Sequence, residues 1–540
     1  MKLLFSLLFS CSTVTGFFLD RGMPFEDMSP PFFLAYMAAV IVMTAVVFFL
    51  TSVVFKKMPA WGKSQTTETD QTAVAGRRDF LLQWGGYTLF LLVCWLPVWL
   101  AYWPGLWNYD IPMVHGVIQG VYSTHHPLIY TLLLGICYAI GKMFANENMG
   151  LILYTAIQML VMAGIFGYVI CFIRRYLRKK PMVIPVALFY GFFPVHSILA
   201  LSPTKDVLFS GTITLLLVLV LKLFLDGEEK DTARDAVLRV GVCVLMLLNR
   251  NNAVYAFLIM AVFVFLSRNH FQKKKRRLTL LGLSLLLFVL FSNILKAAMR
   301  AEAGNDAEMY SVPIQQYARI HEYGEEGDRA EVEKYFDYAH AFYVPSISDP
   351  VKMWMYDGNR ASFLKQSVKW IFKYPLLTLD SFLYLTKGHW DIDDRTFSDM
   401  YREMNPGDYQ GFMVTHIYEG YGITRNSVLP GLAEWYTDLF VDNSIMDVPL
   451  LRNVFAPAFW HWLFVFCAML WFRFAPRRIS VYLVFFFGLL LTMLFGPCAY
   501  IRYSYPFFAC APVLVTFAFV FAGKTVTMFP ACDGVFDSCG

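Results

Sequence analysis

Residues 207–225 read VLFSGTITLLLVLVLKLFL, preceded by Ser202-Pro-Thr-Lys-Asp206 and followed by Asp226-Gly-Glu-Glu-Lys230. As a helix rising about 1.5 Å per residue, this run covers the roughly 30 Å hydrocarbon core of a bilayer. Charged residues gather just beyond its two ends, where water begins. Comparable apolar runs recur along the chain. Of its 540 residues 57% are hydrophobic and 16% charged, whereas soluble domains carry about a quarter charged residues. The 51 Phe and 30 Tyr suit lipid-facing helices with interfacial anchors better than a water-soluble core. The net charge of +5 carries less information than the placement of the basic residues.

Basic clusters occur at Lys56–Lys57 with Arg77–Arg78, at Arg174–Lys180, at Arg268–Arg277 and at Arg473–Arg478. The positive-inside rule places all of them in the cytoplasm, and the segments between them then obey parity. A span over 37–55 ends inside and one over 80–103 leads out, so the loop 104–126 lies outside. Leu128–Phe144, which is short and holds Gly135, Gly141 and Lys142, reads as a juxtamembrane helix that does not cross. The segment 151–172 returns, 183–201 leads out and 207–225 returns, leaving Ser202–Asp206 outside. Val240–Leu266 crosses twice, hinged near Asn249-Arg-Asn-Asn252. The segment 278–299 leads out again, and 455–472, 481–494 and 507–521 close the chain. The expectation is an all-α polytopic membrane protein with about 11–12 transmembrane helices.

The organisation expected is a signal anchor or signal peptide with a short outside segment at 1–31, the anchor being preferred. A transmembrane catalytic module follows at 32–299, then an extracytoplasmic domain at 300–451, C-terminal helices at 452–523 and a cytoplasmic tail at 524–540. The polar region 300–451, punctuated by Pro345, Pro350, Pro375 and Pro406, is too long for a linker. It reads as a mainly helical domain, with helical character over Asp328–Ala341. The ten cysteines form no CxxC pair and no metal-ligand spacing. No GxxxxGK[ST], GxGxxG or HExxH motif is present. The basic run Lys273–Arg277 reads as a topogenic and lipid-headgroup patch, not a nucleic-acid site.

The residues able to carry chemistry fall on the outside face. Asp110 follows a span among aromatics, in Trp103-Pro-Gly-Leu-Trp-Asn-Tyr-Asp110. Partial desolvation raises a carboxyl pKa and suits a general base, although the same position also suits a helix cap. His125 and His126 precede Pro127 at a helix start, and adjacent rings point in different directions, so one of them at most meets the same site. Lys205-Asp206 is either a helix N-terminal cap or a charged pair facing the same cavity. Arg250, among asparagines in an apolar run, implies a partner or a wet cavity. Arg502 stands in Tyr500–Tyr505 at a span boundary, and arginine matches phosphate oxygens bidentately. Snorkelling to the interface accounts equally well for either arginine. Tyr503 and Tyr505 are belt aromatics unless a ligand is present.

Pro104-Gly105 and Asp110, followed by His126-Pro127, together resemble the integral-membrane glycosyltransferases of the GT-C fold. The resemblance is strongest to the branch of protein O-mannosyltransferases and lipid A aminoarabinose transferases. Lys205-Asp206 is similar to that family's second-loop charged pair. Arg502-Tyr503 with Tyr505-Pro506 is similar to its Arg-Tyr…Pro pattern before a late span. Pro313-Ile-Gln-Gln316 with Arg319, and Ser348-Asp-Pro350, resemble an uncharacterised bacterial branch. The chain departs from the pattern in lacking an adjacent Asp-Glu pair in the first loop and a second Pro after His126-Pro127.

The resemblance implies transfer of a sugar from a polyprenyl-phosphate donor to a glycan, lipid or protein acceptor outside the plasma membrane of a bacterium. Asp110 is then the base, Arg502, Arg250 and Lys205 hold the donor phosphate, and His125, His126, Asp206, Tyr503 and Tyr505 line the cavity or position the acceptor. Mg²⁺ or Mn²⁺ suits carboxylates and phosphate, though the sequence shows no cage of ligands. Two other readings stay open: a transporter or flippase for a lipid-linked or polar substrate, and a polymerase or ligase of surface polysaccharide.

Overall fold

The computed structural model describes residues 1–65, 76–106, 120–144, 146–267, 274–304, 306–394, 423–442 and 444–524. Asp110 and the tail beyond 524 lie outside these residues. The described part is helical, with isolated β-bridges and no strand among the described residues. Its helices in the first half are α1 (Lys2–Leu19), α2 (Pro30–Gln65), α3 (Arg77–Ala101), α4 (Leu128–Met143), α5 (Glu147–Arg174), α6 (Ile184–Phe192), α7 (Pro194–Leu201), α8 (Lys205–Leu225), α9 (Ala233–Asn249), α10 (Ala253–Leu266) and α11 (Lys274–Ala298). A polar region follows with α12 (Ser311–Tyr323), α13 (Arg360–Lys373), α14 (Pro375–Thr386) and α15 (Pro430–Phe440), then α16 (Pro457–Phe474), α17 (Val484–Leu494) and α18 (Ile501–Lys524).

Among the described residues nine helices are long and apolar enough to cross a bilayer, and up to ten if the pair bent by 44° at Phe193 counts as one span. This is a polytopic all-α membrane protein. Helix α18 forms its centre, 78% of its apolar window being buried, while α11 is peripheral at 6% and turns its leucines to lipid. Helices α9 and α10 are shorter, at 17 and 14 residues. They are not among the nine, and only their shared tip at Arg250–Asn252 is tied to the face that carries Asp206 and Thr124.

Contacts between loops fix which ends share a face. On one face, Asp380 accepts the backbone N–H groups of Phe25 and Glu26. There, too, Glu302 pairs with Tyr122 and Thr124, Asn251 reaches the Thr124 carbonyl, Asn426 bonds to Trp103, and Ser348 bonds to Pro497. On the other face, Arg178 bonds to Gln65, Arg174 reaches Gln83, and Arg239, Arg276, Arg277 and Arg478 share Asp231 and Glu228. These are called the loop face and the basic face below. Every basic cluster with described residues is on the second.

Helix α4 stays on the loop face. Its start adjoins Lys205 and its end turns directly into α5, whose first-turn Asn148 bonds to Thr424. It buries Tyr130, Leu134 and Tyr138 and exposes Ile136, Ile140 and Met143, as expected of a helix lying in the interface. The region 306–394 packs on a core of Ile314, Tyr317, Phe336, Phe363 and Trp370. One expectation needs correction: the helix entered at Glu326 stops at Val332. Residues 334–341 turn instead, so that fully buried Phe336 can pair with Met355 and join the ring cluster.

Helices α2 and α18 meet through glycines near the basic face. A Cβ on Gly62 would lie 2.4 Å from the Phe519 carbonyl oxygen and 2.5 Å from the Gly523 nitrogen. Small residues permit such backbone approach in membranes. Gly62→Ala is expected to cost about 1–3 kcal/mol, the scale of overpacking. Gly86→Ala on α3, where a Cβ meets nothing within 4 Å, should be neutral or mildly stabilising. Denaturation of both variants in mixed micelles checks the contrast.

Candidate functional site

The site is assembled where α8, the α9–α10 tip, the start of α18 and the loop before α4 converge on the loop face. Thr204 caps α8, its hydroxyl accepting the Asp206 N–H. Asp206 is therefore a first-turn residue, favourably placed at the positive end of the helix dipole, and not the cap. Its carboxylate meets Arg250, with Nη1 2.8 Å from Oδ1. Both are buried, at 1% and 8% exposure.

Arg250 ends α9 and binds more than Asp206. Nη1 lies 3.3 Å from the Tyr503 carbonyl, and the guanidinium stands 5.4 Å and 5.5 Å from the ring centres of Phe209 and Tyr503. One side chain thus ties together the starts of α8 and α18 and the tip between α9 and α10. Asn251, the next residue, donates to the Thr124 carbonyl at 3.1 Å.

Lys205 Nζ is 3.2 Å from His126 Nδ1. The His125 and His126 rings stand edge to face at 4.7 Å. Tyr130 reinforces the junction by donating to the Pro203 carbonyl at 2.9 Å. Arg502 lies over the rings of Tyr500 and Tyr503 at 5.3 Å and 5.1 Å, half-buried. Lys205, Asp206, Arg250, His126, Arg502 and Tyr503 thus border one region. Tyr505 does not: two residues along a helix is about 200° of rotation from Tyr503. It is fully buried, with its hydroxyl 3.0 Å from His196 Nδ1 in an aromatic nest.

The expected base, Asp110, lies outside the described residues. Both described flanks of its segment reach this site. Leu106 donates to the Leu201 carbonyl at the end of α7, and the chain resumes at Gly120 to pass through Thr124 to His126.

A second charged cluster was not anticipated. Lys387, 1% exposed, is ion-paired with Asp20, with Asp391 at 3.3 Å and with Asp394 at 2.8 Å. Burial pushes the Asp391 carboxyl up to about 7, against the opposing pull of Lys387. The three carboxylates lie within 4.8 Å of one another, the spacing of cation ligands. The ammonium of Lys387 already supplies the positive charge, so the cluster reads as an ion-pair joint between α1 and residues 387–394. Nearby, Arg319 pairs with Glu26 and Arg452 with Asp393. The run Lys387-Gly-His-Trp-Asp-Ile-Asp-Asp394 carried a visible signal: acidic residues dense around one lysine.

No curated protein and no solved structure matches the chain. Residues 118–526 match the model of a family of unknown function, DUF6020. The match takes in α4 to α18, including Lys205, Asp206, Arg250, His125, His126, Arg502, Tyr503 and Tyr505, and the chain belongs to this family.

Proposed function

We propose that the chain is a membrane glycosyltransferase that moves a sugar from a polyprenyl-phosphate donor to an acceptor on the loop face. The observation that carries this reading is the convergence of Lys205, His126, Arg250 and Arg502, from four separate parts of the chain, where Leu106 and Thr124, on either side of the Asp110 segment, are also anchored. Arginine and lysine aimed at one region suit a departing phosphate, whose charge grows as the sugar–phosphate bond breaks. Arg250 is already held by Asp206, so its part is to fix the cavity wall. Lys205, beside His126, and Arg502, over the rings of Tyr500 and Tyr503, are the cations this reading assigns to the phosphate. Asp110 takes the proton of the acceptor hydroxyl as its oxygen attacks the anomeric carbon, and the carrier phosphate leaves on the opposite side.

By the positive-inside rule the basic face is cytoplasmic and the loop face extracytoplasmic. A bacterial plasma membrane is the setting implied by the resemblance. The test is sugar transfer from synthetic polyprenyl-phosphate sugars by the purified chain in liposomes. Asp110→Asn is expected to lower transfer by about 10²–10⁴-fold, the usual contribution of a general base, with folding and membrane insertion unchanged. Full activity in that variant removes Asp110 from the mechanism. Substrate flux across the same vesicles without transfer would favour the transporter reading.

A further inference from the structure

Between α8, α9, α10, α11 and the segment 482–486 lies an open cleft. It arises because α9 and α10, though joined at Arg250–Asn252, pack on different partners. Helix α9 lies on α8 and α11, whereas α10 lies on α17. Leu217, Val220, Cys243, Met260, Leu281 and Phe485 give the cleft an apolar wall. Arg239 and Arg277 stand at its polar end, which is the basic face.

The charge at that end is unbalanced. Arg239 and Arg276 share Asp231, at 2.7 Å and 3.2 Å, while Arg277 and Arg478 share Glu228. Asp235, which Lys222 reaches at 3.7 Å, adds a third carboxylate beside Arg239, so five cations face three carboxylates among these residues. Water gains nothing from apolar walls, whereas bilayer chains lie alongside. Basic pockets between transmembrane helices on the cytoplasmic side hold anionic headgroups, and guanidinium matches phosphate oxygens.

We propose that this cleft is a structural lipid site. It takes one acyl chain of an anionic phospholipid from the leaflet at the basic face, with the lipid phosphate held by the surplus arginine charge at the rim. The chain wedges the α9–α10 hairpin apart. Because Arg250 forms the tip of that hairpin, the lipid on one face supports the cluster on the other. The proposal is independent of the glycosyltransferase reading.

The test uses the full chain in phosphatidylcholine bilayers containing trace phosphatidylglycerol, spin-labelled near the end of one acyl chain. The expected result is a motionally restricted phosphatidylglycerol component about fivefold larger than that of labelled phosphatidylcholine, the factor one basic residue supplies at about 1 kcal/mol. Leu217→Trp, which fills the cleft, and Arg276→Glu, which reverses a rim charge, should each bring the excess down to the phosphatidylcholine level. If Leu217→Trp does not fold, Ser284→Leu is the milder filler. Equal restriction of the two lipids in the unaltered chain overturns the proposal. So does an excess that survives both a filling and a rim variant.

Discussion

Asp206→Ala is expected to destabilise the folded chain by about 3–5 kcal/mol, the cost of leaving the other half of a buried ion pair uncompensated. The pair has 1% and 8% exposed members, so solvent cannot repair the loss as it does at a surface, where such pairs contribute about 0–1 kcal/mol. Arg250→Ala should cost at least as much, because the Tyr503 carbonyl and two aromatic ring contacts go with the guanidinium. The informative variant is the double replacement Asp206→Leu with Arg250→Met. Removing both charges together lifts the desolvation penalty that each single variant exposes, so the double should be markedly more stable than the two single losses added. Unfolding by SDS in mixed micelles, followed by tryptophan fluorescence, measures the cycle. Single variants within 1 kcal/mol of the parent and strict additivity would show that the pair is wetted and that Arg250 does not clamp the three elements.

The one-sided arrangement was legible because it rests on two coarse signals, the apolar run length and the position of the basic clusters. Gly135, Gly141 and Lys142 in a short run were enough to keep α4 on one face. Lys205, Arg250 and His126 were individually conspicuous, since each is a polar group beside or within apolar sequence. Their partners were not. Nothing near Asn249-Arg-Asn-Asn252 points to a carboxylate 44 positions earlier, and that pairing exists only once α8 and α9 lie side by side. Helical phase, which separates Tyr503 from Tyr505, was in principle readable, but the start of α18 could not be placed closely enough to use it. Lys387 escaped for the opposite reason to Arg250. In a polar region one more lysine carries no contrast, and its burial follows from α1 folding back over residues 387–394, a contact between segments more than 360 residues apart.

Lys387→Ala is expected to produce a loss of similar size, and one that depends on pH. Without the ammonium, Asp20, Asp391 and Asp394 face each other within 4.8 Å with their shared counter-charge gone. An uncompensated buried charge costs about 3–5 kcal/mol. In the unaltered chain Asp391 sits at about 7, raised from 3.8, so the folded form holds a proton that the unfolded chain has released. Stability from this group is fully present below 3.8, falls as pH rises and is lost once the pH passes about 7. Removing Lys387 removes the interaction that lowers this carboxyl and moves its titration upward. The gap between variant and parent should therefore be small in acid, where the carboxylates are neutral, and widen as pH rises through neutrality. The structural consequence is specific. The Asp391 carboxyl lies against Gly16 of α1, so closely that a Cβ there would be 2.1 Å from Oδ2, and repulsion within the cluster pushes α1 away. Cysteine pairs placed across α1 and residues 387–394 should then crosslink less in Lys387→Ala at alkaline than at acidic pH, after correction for thiol ionisation with the Lys387 parent. Asp391→Asn in the same background should restore part of both the stability and the crosslinking. A stability difference that does not change with pH would mean that Lys387 acts through packing alone.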